Sequence, residues 1–213
     1  MDEVETALSR VRGRVASRDG TPIAYERYGD GPPLVLVSGA PGTAATERPL
    51  GLLLARRFSV VAYDRRGLGG SGDTGPYAVE REIEDLAAVV AEAGAGGAPH
   101  EGVALHGTGT GGVLALAAVA AGLPVGHLSV YEPPYSVETV PEGLLAGVHA
   151  RVLVVDGGAS PAGTRRAARA LTAALPRARH RTLTGQTHEV APHVLAPVLE
   201  EFLSEDRETV EAA

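Results

Sequence analysis

Residues 102–112 read GVALHGTGTGG, an apolar run that turns into a glycine-rich loop. The loop admits two chemistries. Gly107, Gly109 and Gly112 fit G-x-G-x-x-G, whose backbone cradles a dinucleotide pyrophosphate at a helix N-terminus. Glu132 then stands about 20 residues on, where a ribose-binding carboxylate belongs. Alternatively the loop is a sharp strand-to-helix turn, framed by Gly107 and Gly111, that exposes a nucleophile at its middle residue. That middle residue is Gly109, which carries no side chain. Thr108 and Thr110 offer hydroxyls, but each is one residue off the apex, and side-chain direction at a tight turn changes completely over one residue. Thr110 also reads as the cap of the following helix.

The elements around the loop help decide. Val11–Ser17 and Pro22–Tyr28 read as a hairpin turning at Asp19-Gly20. From Leu34 onward, short apolar runs alternate with helical stretches: LVLV, FSVVAYD, GVALH, GHLSVY and RVLVVD are buried strands, and RHRTLTG is a further strand. Helices are expected over residues 46–57, 79–93 (acidic residues outward), 110–121, 162–175 and 190–203. Such alternation predicts an α/β domain, a mostly parallel doubly wound sheet with helices on both faces, entered through an antiparallel hairpin. Residues 1–10 read as a loose N-terminal segment, 11–203 as one domain and 204–213 as a polar tail. A dinucleotide fingerprint sits at the first βα turn, whereas here a hairpin and two βα units precede the loop.

Composition narrows the function classes. The 213 residues suit one domain with a sizeable core. Without cysteine there is no thiol nucleophile and no thiolate metal site. A net charge of −7 without a basic patch argues against nucleic acid. No apolar run is long enough to span a bilayer. The start, MDEVETALSR, has no apolar signal region, which predicts a cytoplasmic protein with no membrane partner. In HEVAPH the second histidine is one residue too late for H-E-x-x-H and follows a proline, so His188 and His193 do not share a helical face and no metal is expected.

Five segments in order resemble the α/β-hydrolase family, from about Arg14 to Leu203: SRDGTPIAYERYGDGPPLVLVSGAPG, YDRRGLGGSG, LHGTGTGG, YEPP with VLVVDGGASP, and LTGQTHEVAP. The resemblance implies an α/β-hydrolase fold with Gly109 at the position of the catalytic serine, so the nucleophile is lost. It places the catalytic histidine at His188. The usual acid position, after the seventh strand, falls on Ser160 and is lost too. Asp156 lies four residues earlier and is expected to cap or bond backbone. A branch of the haloalkane dehalogenases takes its acid from the end of the sixth strand, which here is Glu132. The alternative for Glu132 is a strand-end carboxylate bonded to local amides. The oxyanion-hole donors would be the backbone N–H groups of Ala40 and Thr110. PYSVETVPEGLLAGVHA, between the sixth and seventh strands, is too short for the family's helical cap, so the cap domain is expected to be absent and the face open to a homodimer partner.

Three functions follow from the resemblance. The first is an enzyme acting on a small organic molecule without an acyl-serine intermediate (a lyase, cyclase or water-mediated hydrolase), using a His188–Glu132 dyad and no cofactor. The second is a catalytically degenerate hydrolase that binds a small-molecule ligand or a partner. The third is a serine esterase-like hydrolase whose nucleophile has been replaced by Gly109.

Overall fold

The computed structural model describes residues 10–95, 102–136, 143 and 145–205. The expected loose ends fall largely outside these residues, but Arg10 opens the first strand. Strands β1 (Arg10–Ala16) and β2 (Pro22–Tyr28) form the hairpin. Its turn is closed by the Ser17 N–H donating to Thr21 O at 2.8 Å, and Asp19 Oδ1 accepts the Thr21 N–H at 2.9 Å.

Then follow β3 (Pro33–Val37), α1 (Ala44–Leu54), β4 (Ser59–Tyr63), α2 (Val79–Gly94), β5 (Ala104–Thr108), α3 (Thr110–Ala120), β6 (His127–Tyr131), β7 (Arg151–Gly157), α4 (Ala162–Ala174), β8 (Ala178–Leu183) and α5 (Pro192–Ser204). The single sheet runs β1-β2-β4-β3-β5-β6-β7-β8. Pairing is antiparallel through β2–β4 and parallel from β4 to β8. Observed helices differ from the expected spans by a few residues at their ends, most at α1, which starts after the cap Thr43 and stops at Leu54.

Side chains alternate across the pleat, and this splits the core into two layers. Val35, Val37, Val61, Leu105 and Val152 face α2, α3 and α4. Leu34, Leu36, Val60, Leu153 and Val155 face α1 and α5. Strands β3 and β4 are buried along their whole length, as parallel strands covered on both faces must be.

The acidic residues of α2 are not all outward. Glu82 and Asp85 are buried, because arginines after β4 reach them: Arg65 grips Glu82 at 2.5 and 2.7 Å, and Arg66 grips Asp85 at 2.7 Å twice. Arg66 also bonds Asp19 at 3.2 Å, tying hairpin, post-β4 loop and α2 together. Buried charges persist when they are paired in this way. Residues 132–150 join β6 to β7, and their described part contains one 3-10 turn, Leu145–Gly147.

Candidate functional site

The site is built where β5 turns into α3. Gly109 forms the whole connection, with φ 54° and ψ −124°, a backbone conformation that L-residues adopt only at a cost. Its N–H donates to Tyr131 O at 2.9 Å, which fixes the turn to the end of β6. The turn is tight enough to exclude side chains at its flanks. A Cβ on Gly107 would lie 2.6 Å from Gly112 Cα, and one on Gly111 would collide with Val37 O. A Cβ on Gly109 would instead meet His188, 3.5 Å from both Cε1 and Nε2.

His188 lies between β8 and α5. Its loop is anchored twice. The Tyr131 hydroxyl donates to Thr187 O, and Gln186 Oε1 accepts the Ala191 N–H at 3.0 Å. Burial pushes the Tyr131 hydroxyl pKa up, so it remains a donor. Tyr131 was invisible as a site residue in sequence, where it reads as one more apolar strand position.

Glu132 follows β6 immediately and holds φ 42°, alone among the described non-glycine residues in positive φ. Its N–H donates to Val155 O at 3.0 Å and its Oε1 accepts the Gly157 N–H at 2.8 Å. The other carboxyl oxygen, Oε2, is 3.1 Å from His188 Nδ1. Glu132 thus makes two contacts at once: one oxygen takes a local amide and the other takes the imidazole. A carboxylate can only accept, so Nδ1 carries the hydrogen and Nε2 presents its lone pair. The Glu132 side chain is 1 % exposed and that of His188 62 %, so the imidazole reaches out from a buried anchor.

The other expected positions are differently engaged. Ser160 is buried after β7, and its hydroxyl has no partner among the described residues. Asp156 does not serve backbone: its Oδ2 is 3.0 Å from His180 Nε2. The Ala40 N–H does not stand free as an oxyanion donor. It donates to Thr110 Oγ1 at 2.9 Å, and Arg65 Nη1 reaches the same oxygen at 3.3 Å. A side-chain hydroxyl from across the turn occupies this N–H. Thr110 does not cap α3 either, since the cap position is Gly109. Having accepted two N–H groups, the Thr110 hydroxyl keeps its own hydrogen to donate. The Thr110 N–H, at the first helical position, has no intrahelical acceptor.

A cavity of about 840 Å³ opens over this turn, lined by Gly109, Thr110, Glu132 and His188 together with Glu47, Pro133, Pro134 and Tyr135. Glu47, from α1, is 8 % exposed, and burial pushes its pKa up to about 7. Sequence reasoning passed over it. The available signal was its place on the buried stripe Ala44–Glu47–Leu50–Leu54, where a carboxyl among apolar positions is unusual.

This fold recurs in known proteins. The chain is 38 % identical to an alpha/beta hydrolase of solved structure from Sphaerobacter thermophilus, with a TM-score of 0.79 over 89 % of this chain and 99 % of that one. It is 35 % identical over 140 residues to a non-heme haloperoxidase from Rhodococcus erythropolis, covering 61 % of this chain and 48 % of that protein. It is 41 % identical over 95 residues to a putative carbamate hydrolase, RutD, from Azorhizobium caulinodans, covering 44 % of this chain and 36 % of that protein. The chain thus spans less than half the length of these two curated relatives. The sequence model of the alpha/beta hydrolase family matches residues 34–212, most of the sheet and all of the turn-and-histidine framework, and to that family the chain belongs.

Proposed function

We propose that this chain is an enzyme that acts on a small organic molecule through His188 as general base, with no covalent intermediate on Gly109. The observation that carries the reading is the assembled pair. Glu132 holds the His188 imidazole at 3.1 Å, and the imidazole faces a turn whose apex residue has no side chain. The pair fits a base that Glu132 orients and whose cation it stabilises.

The space over Gly109 then belongs to water or to a substrate group. In hydrolysis of an activated ester or lactone, His188 Nε2 takes a proton from water as the water oxygen bonds to the carbonyl carbon. The carbonyl π electrons move to oxygen, and the Thr110 N–H donates to that oxygen. The C–O bond to the leaving group breaks as the oxyanion collapses, and His188 returns the proton to the departing alkoxide. The same base serves elimination, ring closure or aldol-type cleavage. The names of the relatives cover different reactions, so the choice rests on Gly109 and not on them.

One observation favours the second reading, a hydrolase framework that only binds. The Ala40 N–H is already used by Thr110, which weakens the oxyanion hole. A panel of aryl esters, lactones and β-hydroxy ketones separates the two. On the catalytic reading at least one compound is turned over, and His188→Ala lowers the rate by about 10²–10⁴. A turnover rate unchanged in His188→Ala sinks the catalytic reading. The third reading, a replaced serine, requires a serine codon at position 109 in the natural gene, which sequencing that gene decides.

A further inference from the structure

The cavity contains a largely buried acidic group that the base chemistry leaves idle. Glu47 lines it from α1 and is more than nine-tenths buried. Among the described residues no donor meets its carboxyl, and desolvation is the one influence on its proton affinity. Its carboxyl faces the cavity, and burial of the rest of the residue makes ionisation costly there, a cost that a ligand donor can offset. Glu132, by contrast, is fully engaged by His188 and the Gly157 amide.

The charge balance of the lining says which ligand. Three carboxyls, Glu47, Glu132 and Glu189, line the cavity, and none of its lining residues is Arg or Lys. Arg65, the cation that reaches Thr110, is held in a two-point pair with Glu82. A carboxylate or phosphate ligand would find no Arg or Lys among the lining residues and would be repelled by the carboxylates there. An alcohol or ester can hydrogen-bond Glu47 but brings no charge that would hold it ionised. A cationic N–H donor would give it a charge-assisted hydrogen bond in a desolvated setting, the strong kind.

We infer that Glu47 is the polar anchor of the ligand cavity and that it receives an organic ammonium group, so that the substrate is a small, largely apolar amine. The inference rests on the cavity being the site of the proposed chemistry, but its test reads binding and needs no turnover.

The full chain, with glutamate carboxyls labelled with carbon-13, is titrated with benzylammonium, benzyl alcohol and benzoate, and the Glu47 resonance is followed by NMR. Benzylammonium is expected to saturate and to move the Glu47 resonance, with an affinity at least about tenfold above that of benzyl alcohol. Benzoate is expected to leave the resonance in place. In Glu47→Gln the affinity for benzylammonium should fall to that for benzyl alcohol, while His188→Ala should retain the preference. Equal affinity for the alcohol, a preference intact in Glu47→Gln, or no saturation by benzylammonium overturns the assignment. The labelled wild-type resonance decides the matter even if Glu47→Gln fails to fold. Glu47-dependent ammonium binding without His188-dependent turnover would defeat the proposed reaction and leave this inference standing. His188-dependent turnover of substrates that show no Glu47-dependent binding would do the reverse.

Discussion

Placing a hydroxyl at the turn, Gly109→Ser, tests the whole arrangement in one step. The new Cβ would stand 3.5 Å from His188 Cε1 and Nε2, ordinary contact, so nothing has to move to admit it. The cost is conformational. At φ 54° a serine is strained, which amounts to about 1–3 kcal/mol. For a domain of this size that lowers the melting temperature by about 2–12 °C. In return the hydroxyl comes within reach of Nε2, and a nucleophile–base–acid line is complete. With p-nitrophenyl acetate the variant should show a burst of nitrophenolate and a steady rate above wild type, and Gly109→Ser/His188→Ala should lose both. The rate should remain limited by the occupied Ala40 N–H, because one missing oxyanion donor costs about 10²–10³ in rate. Gly109→Ser/Thr110→Ala releases that N–H and should recover part of the factor. Retention of the burst in Gly109→Ser/His188→Ala would refute the placement of the imidazole over the apex. A fall in rate on adding Thr110→Ala would refute the claim that Thr110 blocks the donor, and would make its hydroxyl the working oxyanion donor instead.

Two further outcomes follow from the same contacts. Glu132→Gln keeps an acceptor for the Gly157 N–H but removes the charge that holds His188; His188-dependent turnover should drop about 10²–10⁴-fold while the melting temperature stays near wild type, and equal turnover would show that Glu132 only serves the backbone. The pH dependence of stability should hide two opposed groups. Burial raises Glu47 from 4.5 to about 7, so the native state holds a proton the unfolded chain has released; the stability this gives is present below pH 4.5 and is lost as pH rises to about 7. Burial lowers His106 from 6.5 to about 4, so its contribution is present above pH 6.5 and is lost as pH falls to about 4. Each shift corresponds to about 3 kcal/mol, and between pH 4.5 and 6.5 the slopes cancel. Urea unfolding of Glu47→Gln should therefore show stability rising with pH across that window, and His106→Leu should show it falling. A flat profile in both variants would contradict the burial argument.

How far the site could be read from sequence depended on whether a residue's role is set locally or by a distant partner. The sheet was legible because Leu34 to Val37 and Val60 to Tyr63 are apolar on both faces, and only a strand covered twice has use for that. Gly109 was legible because a strand-to-helix reversal leaves glycine as the strain-free choice, and the structure gives it positive φ. The outward face expected for α2 failed at Glu82 and Asp85, since nothing within the helix announces that Arg65 and Arg66 will reach over to bury them. The Ala40 donor failed for the same reason: its acceptor, the Thr110 hydroxyl, belongs to the far side of the turn. Asp156 found His180 on the neighbouring strand β8, which no spacing rule encodes. Glu132 shows why such partners matter for chemistry. Its strained backbone, held by Val155 O and the Gly157 N–H, is what aims one carboxyl oxygen at His188. A carboxylate bonded only to amides would tolerate a relaxed backbone, since either oxygen would serve. Strain persists where the surrounding contacts over-determine it, and here those contacts converge on an imidazole that stands over an empty apex. A framework kept only for packing has no need of that expense at β6, which is the structural argument for a working base.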